Sequence, residues 1–279
     1  MTVKIVTDST SDITRALADQ LGVTVVPLTV MFGHETFLDR VDITTDEFYR
    51  RLTRQEVYPT TTQPSPGAFA EIYKKLAAET DGILVIVISG KLSGTYQSAS
   101  SARDIAGIKA RIEVIDSTKT AMALGLLVIA AAKMAKSGAS LDDIAKAVRE
   151  RIPHTHPIMA FDTLKYLAKG GRIGRAQGLV GSVLRVRPVL TMRDGEVAPL
   201  TRLRSQAATM DYLYNAVASL KDIEELAVEH ATTPDDADAL VERLSQIYPK
   251  ERIYRSTVSP VLGTYMGPNV LSISYMEGK

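Results

Sequence analysis

Small and hydroxyl-bearing residues crowd the segment SGKLSGTYQSA (89–99), directly after the apolar run ILVIVI (83–88). The apolar run predicts a buried strand, and the polar segment leads into a helix that is expected to start near Gly94. A helix N-terminus presents free backbone N–H groups and the positive end of the helix dipole, which favour an anion. The segment therefore favours an oxyanion site for a carboxylate or a phosphate.

Two further loops carry polar residues where the predicted strands end. In TDSTSD (7–12), Asp8 lies at the carboxyl end of a predicted parallel strand, where α/β sheets bind their ligands. Ser9 with Asp12 also fits a capping box, so a purely structural interpretation of this loop stays open. In YPTTTQPSPG (58–67), the threonines form either a turn into the next helix or a row of hydroxyl donors at the sheet edge.

The segment KGGRIGR (169–175) pairs two glycines with an arginine. Such glycines let a backbone turn tightly while the guanidinium group points at an anion. A surface loop with a solvated arginine explains the same residues.

The sequence offers little support for catalytic machinery. The spacing in GKLSG (90–94) does not match the G-x-S-x-G elbow of serine hydrolases, and the four histidines have no evident triad partners. Neither a nucleotide P-loop nor a G-x-G-x-x-G dinucleotide motif occurs. His154 and His156 are expected to be surface histidines, with a metal pair as the weaker alternative. We therefore predict no catalytic residue, no cofactor and no metal site.

Composition narrows the class of protein further. The chain has 279 residues, a formal net charge of +1 and no cysteine. This charge gives no electrostatic reason to expect a nucleic acid partner, and the lack of cysteine fits a cytoplasmic location. The longest apolar run, AMALGLLVIAAA (121–132), is too short to span a bilayer and predicts a buried helix. No integral membrane segment is expected.

Short β-branched runs alternate with helical patterns up to about residue 155, which predicts a parallel α/β sheet. The predicted elements include a helix over 12–21 and a strand over 23–30. Strands and helices then alternate less regularly around an Asp194–Gly195 hairpin. The fold class is therefore predicted as α/β with two domains. Residues 1–155 would form an N-terminal parallel-sheet domain, and residues 156–279 a C-terminal mixed α+β sandwich.

Four motifs in order give the chain a family resemblance: VKIVTDSTSDI, PTTTQPSPGAF, SGKLSGTYQSA and KGGRIG. Together they resemble the DegV family of bacterial proteins, and the match extends over nearly the whole chain. Each motif alone is modest, but four in this order at these separations are highly specific.

The resemblance implies a long-chain fatty acid held between the two domains. It also implies that the protein is the acyl-carrying subunit of a bacterial fatty acid kinase. A separate ATP-binding subunit, similar to dihydroxyacetone kinases, would then phosphorylate the carboxylate for phospholipid synthesis. The family's carboxylate-binding residues correspond to Thr61 and Ser93, and the arginine of its glycine-rich motif to Arg172, which would face the phosphate or the kinase. The supporting head-group residues would be Thr62, Gly94, Thr95, Asp8, Ser9 and Tyr265.

The chain departs from the family pattern at three positions. Thr62 replaces a common serine, Tyr265 stands where many relatives have histidine, and Asn269 replaces a glycine of the following turn. A tyrosine can donate one hydrogen bond but cannot become cationic near neutral pH. Two alternatives therefore remain: a lipid carrier without a kinase partner, or a phosphotransferase or hydrolase that acts on a small metabolite.

Overall fold

The structure is a computed structural model that describes residues 2–54, 57–181 and 186–278. The strands are β1 (Lys4–Asp8), β2 (Val23–Val26), β3 (Thr29–Phe32), β4 (Glu35–Leu38), β5 (Thr60–Thr62), β6 (Gly82–Val87), β7 (Arg111–Asp116), β8 (Thr155–Ala160), β9 (Arg187–Arg193), β10 (Glu196–Leu203), β11 (Ile223–His230), β12 (Ile253–Thr257) and β13 (Leu271–Glu277). The helices are α1 (Arg15–Leu21), α2 (Thr45–Arg54), α3 (Pro66–Ala77), α4 (Thr95–Ala106), α5 (Ala121–Lys136), α6 (Leu141–Arg151), α7 (Lys165–Lys169), α8 (Gln206–Ala218), α9 (Pro234–Leu244) and α10 (Pro260–Met266).

The N-terminal half contains a four-stranded sheet in the order β2-β1-β6-β7, and every pair in it is parallel. All six residues of β6 are buried, as expected for a central strand covered on both faces. Because the strands are parallel, the loops after β1 and β6 meet at one edge of the sheet. This edge carries two of the three polar loops that the sequence singled out.

The C-terminal half contains a mixed six-stranded sheet in the order β10-β9-β8-β13-β11-β12. Its strand pairs are antiparallel except for β11 with β12. The β9–β10 hairpin turns at Asp194 and Gly195, whose φ angles of 50° and 80° are those of a tight hairpin turn. The predicted α/β fold class, with a parallel sheet followed by a mixed one, is confirmed.

Helix α5 lies between the two sheets and contacts β1, β6, β8, β11 and β13. Nearly all of its residues are buried, which explains the apolar run in the sequence. A Cβ atom at Gly125 would lie 2.5 Å from the backbone oxygen of Ser11, so the glycine allows α5 to approach the loop after β1. Among the described residues, no helix is long and apolar enough to cross a membrane.

Two predicted elements differ from the structure. The strand predicted over 23–30 is interrupted at Pro27, and its two parts, β2 and β3, belong to different sheets. Proline has no backbone N–H to donate, so the chain leaves the parallel sheet there. Strand β3 instead pairs with β4 and β5 in a small antiparallel sheet that the sequence did not predict.

The helix predicted over 12–21 begins only at Arg15, capped by the Thr14 hydroxyl. The predicted capping box of Ser9 and Asp12 does not form. Residues Ser9–Ser11 make a short 3-10 turn, and Asp12 ends it in the left-handed conformation with φ 53°. The domain boundary predicted between residues 155 and 156 falls at the start of β8 and remains a prediction.

Candidate functional site

A cavity lies between the polar edge of the parallel sheet and the inner side of the six-stranded sheet. It has a volume of about 670 Å³ when the solvent space at its open mouth is included. Its apolar walls come from both halves of the chain: Leu28, Ile88, Leu92, Met159, Phe161, Leu167, Val197, Val261, Leu262 and Met266. All of these except the half-buried Leu92 are buried.

The polar residues of the cavity differ from the apolar ones in their exposure. Thr61, Ser93 and Tyr265 are half-buried, while Gln63 and Arg172 are exposed. Thr10 and Thr120 also line the cavity but are buried. The cavity therefore has a polar mouth in contact with solvent and an apolar interior.

Thr61 and Tyr265 are joined directly at this mouth. The Thr61 hydroxyl lies 2.6 Å from the Tyr265 hydroxyl, and either oxygen can donate. Thr61 projects from β5, which pairs with β3, and Tyr265 lies in the last turn of α10. The tyrosine that stands in the place of the family histidine is thus a hydrogen-bond partner of the predicted carboxylate-binding threonine.

Arg172 closes the mouth from the other side. Its guanidinium group lies 5.1 Å from the centre of the Tyr265 ring, as in a cation–π contact. It donates to the backbone oxygens of Leu92 (3.3 Å) and Gly170 (2.9 Å). A side chain at Gly170 would collide with the Tyr265 ring, and Gly171 has a φ of 69°. The paired glycines therefore place Arg172 against the mouth.

The opening of α4 supplies the third side of the mouth. The N-cap is Gly94, which has no side chain to bond the first turn of the helix. The Ser93 hydroxyl lies 2.8 Å from the Thr95 hydroxyl and accepts from the Thr95 N–H at 3.3 Å. Backbone amides and hydroxyls thus converge at a helix N-terminus beside the cavity, an arrangement suited to an oxyanion.

Gln63 is a cavity residue that the sequence reasoning missed. A Cβ atom at Gly94 would lie 2.8 Å from the Gln63 side-chain nitrogen. This nitrogen is the end of an exposed, flexible side chain that can move aside, so the contact alone does not require glycine at position 94. The close approach that the sequence suggested was that of an anion to the backbone. The threonine-rich motif contains Gln63, but nothing in its spacing pointed to the glutamine rather than to the threonines.

The remaining predicted head-group residues lie farther from the mouth. Asp8 is fully buried and accepts from the Thr10 hydroxyl (2.5 Å), the Thr10 N–H (2.9 Å) and the Ile88 N–H (2.8 Å). Burial raises the pKa of Asp8, and these three hydrogen bonds oppose that rise. Ser9 accepts from the Leu28 N–H at 3.1 Å. Neither residue lines the cavity, but both fix cavity-lining neighbours in place.

Thr62 and Thr95 also stand outside the cavity lining. Thr62 is exposed and pairs with Thr29 of β3, while Thr95 is buried and contacts Ser93. The structure therefore gathers Thr61, Ser93, Tyr265 and Arg172 around one cavity and places the other predicted residues next to it.

A buried ionic cluster lies beside the cavity, where the two halves of the chain meet. Asp12 is fully buried and forms an ion pair with Arg40, whose guanidinium group also donates to the Thr257 backbone oxygen at 3.4 Å. The Ser259 N–H donates to Asp12 at 3.2 Å. Burial raises the pKa of Asp12 well above its usual range, and Arg40 opposes this while Glu229 adds to it.

No group of three histidines or carboxylates in the described ranges could hold a metal ion. His156 is half-buried, with its Nε2 atom 3.3 Å from Glu277. His154 is exposed. The surface interpretation of His154 thus holds, whereas His156 is partly enclosed.

Residues 2–278 match the model of the DegV family of uncharacterised proteins. A DegV domain-containing protein of Caldanaerobacter subterraneus subsp. tengcongensis is 38% identical over 279 residues, which cover 99% of each chain. A solved DegV family protein from Thermus thermophilus, described as binding fatty acid, is 31% identical with a TM-score of 0.92 and full coverage of both chains. DegV from Bacillus subtilis, described as a fatty acid binding protein, is 30% identical with a TM-score of 0.89 over the same full coverage. The chain described here belongs to the DegV family.

Proposed function

We propose that this protein binds one long-chain fatty acid, with its carboxylate at the cavity mouth and its alkyl tail in the apolar interior. The observation that carries the proposal is the division of one cavity into a solvent-facing polar mouth and buried apolar walls. A fatty acid has the same division. The fatty acids described for the DegV structures of Thermus thermophilus and Bacillus subtilis support the assignment.

The tail supplies most of the binding free energy in this proposal. Each buried methylene contributes about 0.8 kcal/mol, so roughly 14 of them give on the order of 11 kcal/mol before ordering costs. Losses of translational, rotational and chain freedom offset a large part of this gain. The head group contributes less but fixes which end of the molecule stays at the mouth.

Ser93 and Thr61 are the proposed carboxylate ligands. Ser93 lies beside the uncapped start of α4, and the Thr61 hydroxyl can accept from Tyr265, which leaves its own proton for the ligand. Each hydroxyl would donate to the carboxylate. Charge-assisted hydrogen bonds of this kind contribute about 1.5–3 kcal/mol each.

This assignment can be tested with two ligands that differ only in the head group. Wild-type protein should bind palmitate more tightly than hexadecanol, because only the carboxylate uses the charge-assisted bonds. Ser93→Ala and Thr61→Val should each weaken palmitate binding by about 10- to 100-fold and leave hexadecanol binding nearly unchanged. A matched control is Ser137→Ala, on the exposed C-terminal end of α5. If both site variants bind palmitate like the wild type, these residues do not form the carboxylate site.

We further propose that the protein presents the bound carboxylate to a separate ATP-binding kinase subunit and has no catalytic activity of its own. Arg172 supports this step because its guanidinium group is exposed at the mouth and held against Tyr265. A planar guanidinium suits phosphate oxygens. In this proposal Arg172 contacts the new phosphoryl group or the incoming kinase.

A further inference from the structure

A second, larger concavity lies on the other side of the segment that leads into α5. This groove, which we call the Lys119 groove, has a volume of about 1470 Å³ when its open mouth is included, as for the cavity above. Adjacent residues separate it from the fatty acid cavity: Lys119 lines the groove, whereas Thr120 lines the cavity. In β8, Ile158 faces the groove and Met159 faces the cavity. The two spaces therefore lie back to back and share no lining residue.

Lys119 is the unusual residue in this groove. Only 7% of its surface is exposed, and its ammonium group forms no ion pair with any described residue. Burial alone lowers the pKa of Lys119 to about 8, so the group still carries its charge at neutral pH. Buried charges are normally paired. A buried lysine that points into an open groove without a counter-ion is suited to hold an anion.

An arginine and a histidine also border the same groove. Arg193 is exposed and has no ion-pair partner within the described part of the chain. His156 is close enough to Lys119 for the ammonium charge to lower its pKa, in addition to the effect of burial. The acidic groups near them are compensated in part, since Asp194 pairs with Arg175 at 2.9 Å and Glu277 faces His156 at 3.3 Å.

Several of the other side chains that line the groove are aromatic or aliphatic. Tyr212 of α8 and Tyr275 of β13 line it, together with Leu200 and Leu220. Burial raises the pKa of Tyr275, and the charge of Glu277 adds to this, so its hydroxyl stays neutral and can donate. Cations beside tyrosine rings form a site for an anionic group joined to an aromatic or apolar body.

We propose that the Lys119 groove is a second ligand site that takes a phosphorylated small molecule, with the phosphate at Lys119 and Arg193 and the organic part against Tyr212 and Tyr275. A phosphate dianion matches this pair of cations with His156 beside them, whereas a single carboxylate would leave positive charge uncompensated. The residues come from both halves of the chain, so a ligand here would bridge the β7–α5 loop to the six-stranded sheet. The inference is independent of the fatty acid proposal.

Phenyl phosphate is a suitable probe, with inorganic phosphate, benzoate and phenol as comparisons. Binding would be measured by calorimetry and by the NMR signals of the His156 imidazole. Phenyl phosphate should bind more tightly than inorganic phosphate or phenol, because it alone uses both the cations and the tyrosine rings. Lys119→Met and Arg193→Met should each weaken it by at least about tenfold, since each removes a charge-assisted contact.

Lys109→Met is the matched control, because Lys109 is an exposed lysine outside the groove. This variant should bind phenyl phosphate like the wild type. Urea unfolding of Lys119→Met and Arg193→Met shows whether they remain folded. Tighter binding of benzoate than of phenyl phosphate would overturn the assignment of phosphate. Equal binding by the wild type and both groove variants would overturn the site. So would unchanged His156 signals at about 10 mM phenyl phosphate, a concentration roughly ten times a Kd of 1 mM.

Discussion

The cavity mouth and the buried ionic cluster lie next to each other and use their polar residues in opposite ways. At the mouth, Ser93, Thr61 and Arg172 are half-buried or exposed, and they bond to the Thr95 hydroxyl, the Tyr265 hydroxyl and the Leu92 backbone oxygen, respectively. In the cluster, Asp12 is fully buried, forms an ion pair with Arg40 and accepts a hydrogen bond from the Ser259 N–H. At the mouth, hydroxyl and guanidinium groups remain accessible to a ligand. In the cluster, the donors bond to the buried Asp12 and to backbone oxygens, and these contacts join the two halves of the chain. Substitutions should therefore change binding at the mouth and stability in the cluster.

The largest effect is expected from Arg40→Met in the cluster. Without the guanidinium group, Asp12 loses the charge that opposes the rise in its pKa. The folded protein must then bury an unpaired carboxylate or take up a proton, so the free energy of unfolding at pH 7–8 should fall by up to about 3–5 kcal/mol. Urea unfolding measures this change. Arg111→Met is the control, because its ion pair with Asp142 is exposed and solvent-screened and should therefore contribute little to stability. Equal losses in both variants would remove the distinction between the cluster and an ordinary surface pair.

Arg172→Ala should have the next largest effect, and only at the mouth. The variant should still bind palmitate but form acyl phosphate about 10- to 100-fold more slowly with ATP and a bacterial fatty acid kinase subunit, because the phosphoryl group loses a charge-assisted contact. A phosphate-release assay and lipid mass spectrometry measure the product. Loss of palmitate itself would show instead that Arg172 holds the ligand. Arg103→Ala, an exposed arginine on α4, is the control.

Asp39 is buried close enough to Arg40 to feel its charge, and it gives the stability of the protein a pH dependence with a definite sign. Burial raises the pKa of Asp39 to about 7, and Arg40 opposes that rise. An ordinary aspartate in the unfolded chain has a pKa near 3.9, so between about pH 4 and pH 7 the folded protein holds a proton that the unfolded chain has lost. Stability from this group is present at low pH and lost as the pH rises through 7.

Asp39→Asn should therefore remove a slope of up to about 1.4 kcal/mol per pH unit between pH 5 and pH 7. Urea unfolding at several pH values measures the slope in the wild type and the variant. Asp42→Asn, at an exposed position nearby, is the control. An unchanged slope in Asp39→Asn would mean that Asp39 is ionised in the folded protein throughout this range.

The smallest effect is expected from Tyr265→Phe. The ring stays under Arg172, but the hydroxyl that bonds Thr61 is lost, so palmitate affinity should fall by about 0.5–1.5 kcal/mol. Tyr254→Phe, outside the cavity lining, is the control. Tyr265→His restores the residue of many relatives, and a gain in acyl phosphate formation would identify Tyr265 as the limit on phosphorylation. An increase in palmitate affinity in Tyr265→Phe would contradict the role of its hydroxyl at the mouth.

The sequence predicted the parallel sheet and its polar edge because their patterns are local. The run ILVIVI is short and rich in β-branched residues, which favours a buried strand, and the motif after it placed Ser93 next to a helix start. The Asp194–Gly195 hairpin followed from turn chemistry alone. In these segments the local propensity and the tertiary environment agree.

The ionic cluster and the Lys119 groove could not be predicted, because their residues are distant in the chain. Arg40 is 28 residues from Asp12 in the chain and 217 residues from Thr257, and it reaches Thr257 only after the two halves fold against each other. In the sequence, Lys119 is an ordinary charged residue of STKT (117–120). Only the structure shows that it is buried and forms no ion pair with the described residues. Strand β5 was missed for a related reason, since three threonines between prolines become a strand only by pairing with β3.

Native mass spectrometry of the protein as purified tests the central claim most directly. The tail binding proposed here should survive dilution, so the folded protein should carry one additional mass of a long-chain fatty acid. Solvent extraction followed by lipid mass spectrometry would then identify the acyl chain. The account predicts one fatty acid per chain. A protein that is repeatedly free of acyl chains, and that takes up no added palmitate after delipidation, would contradict it.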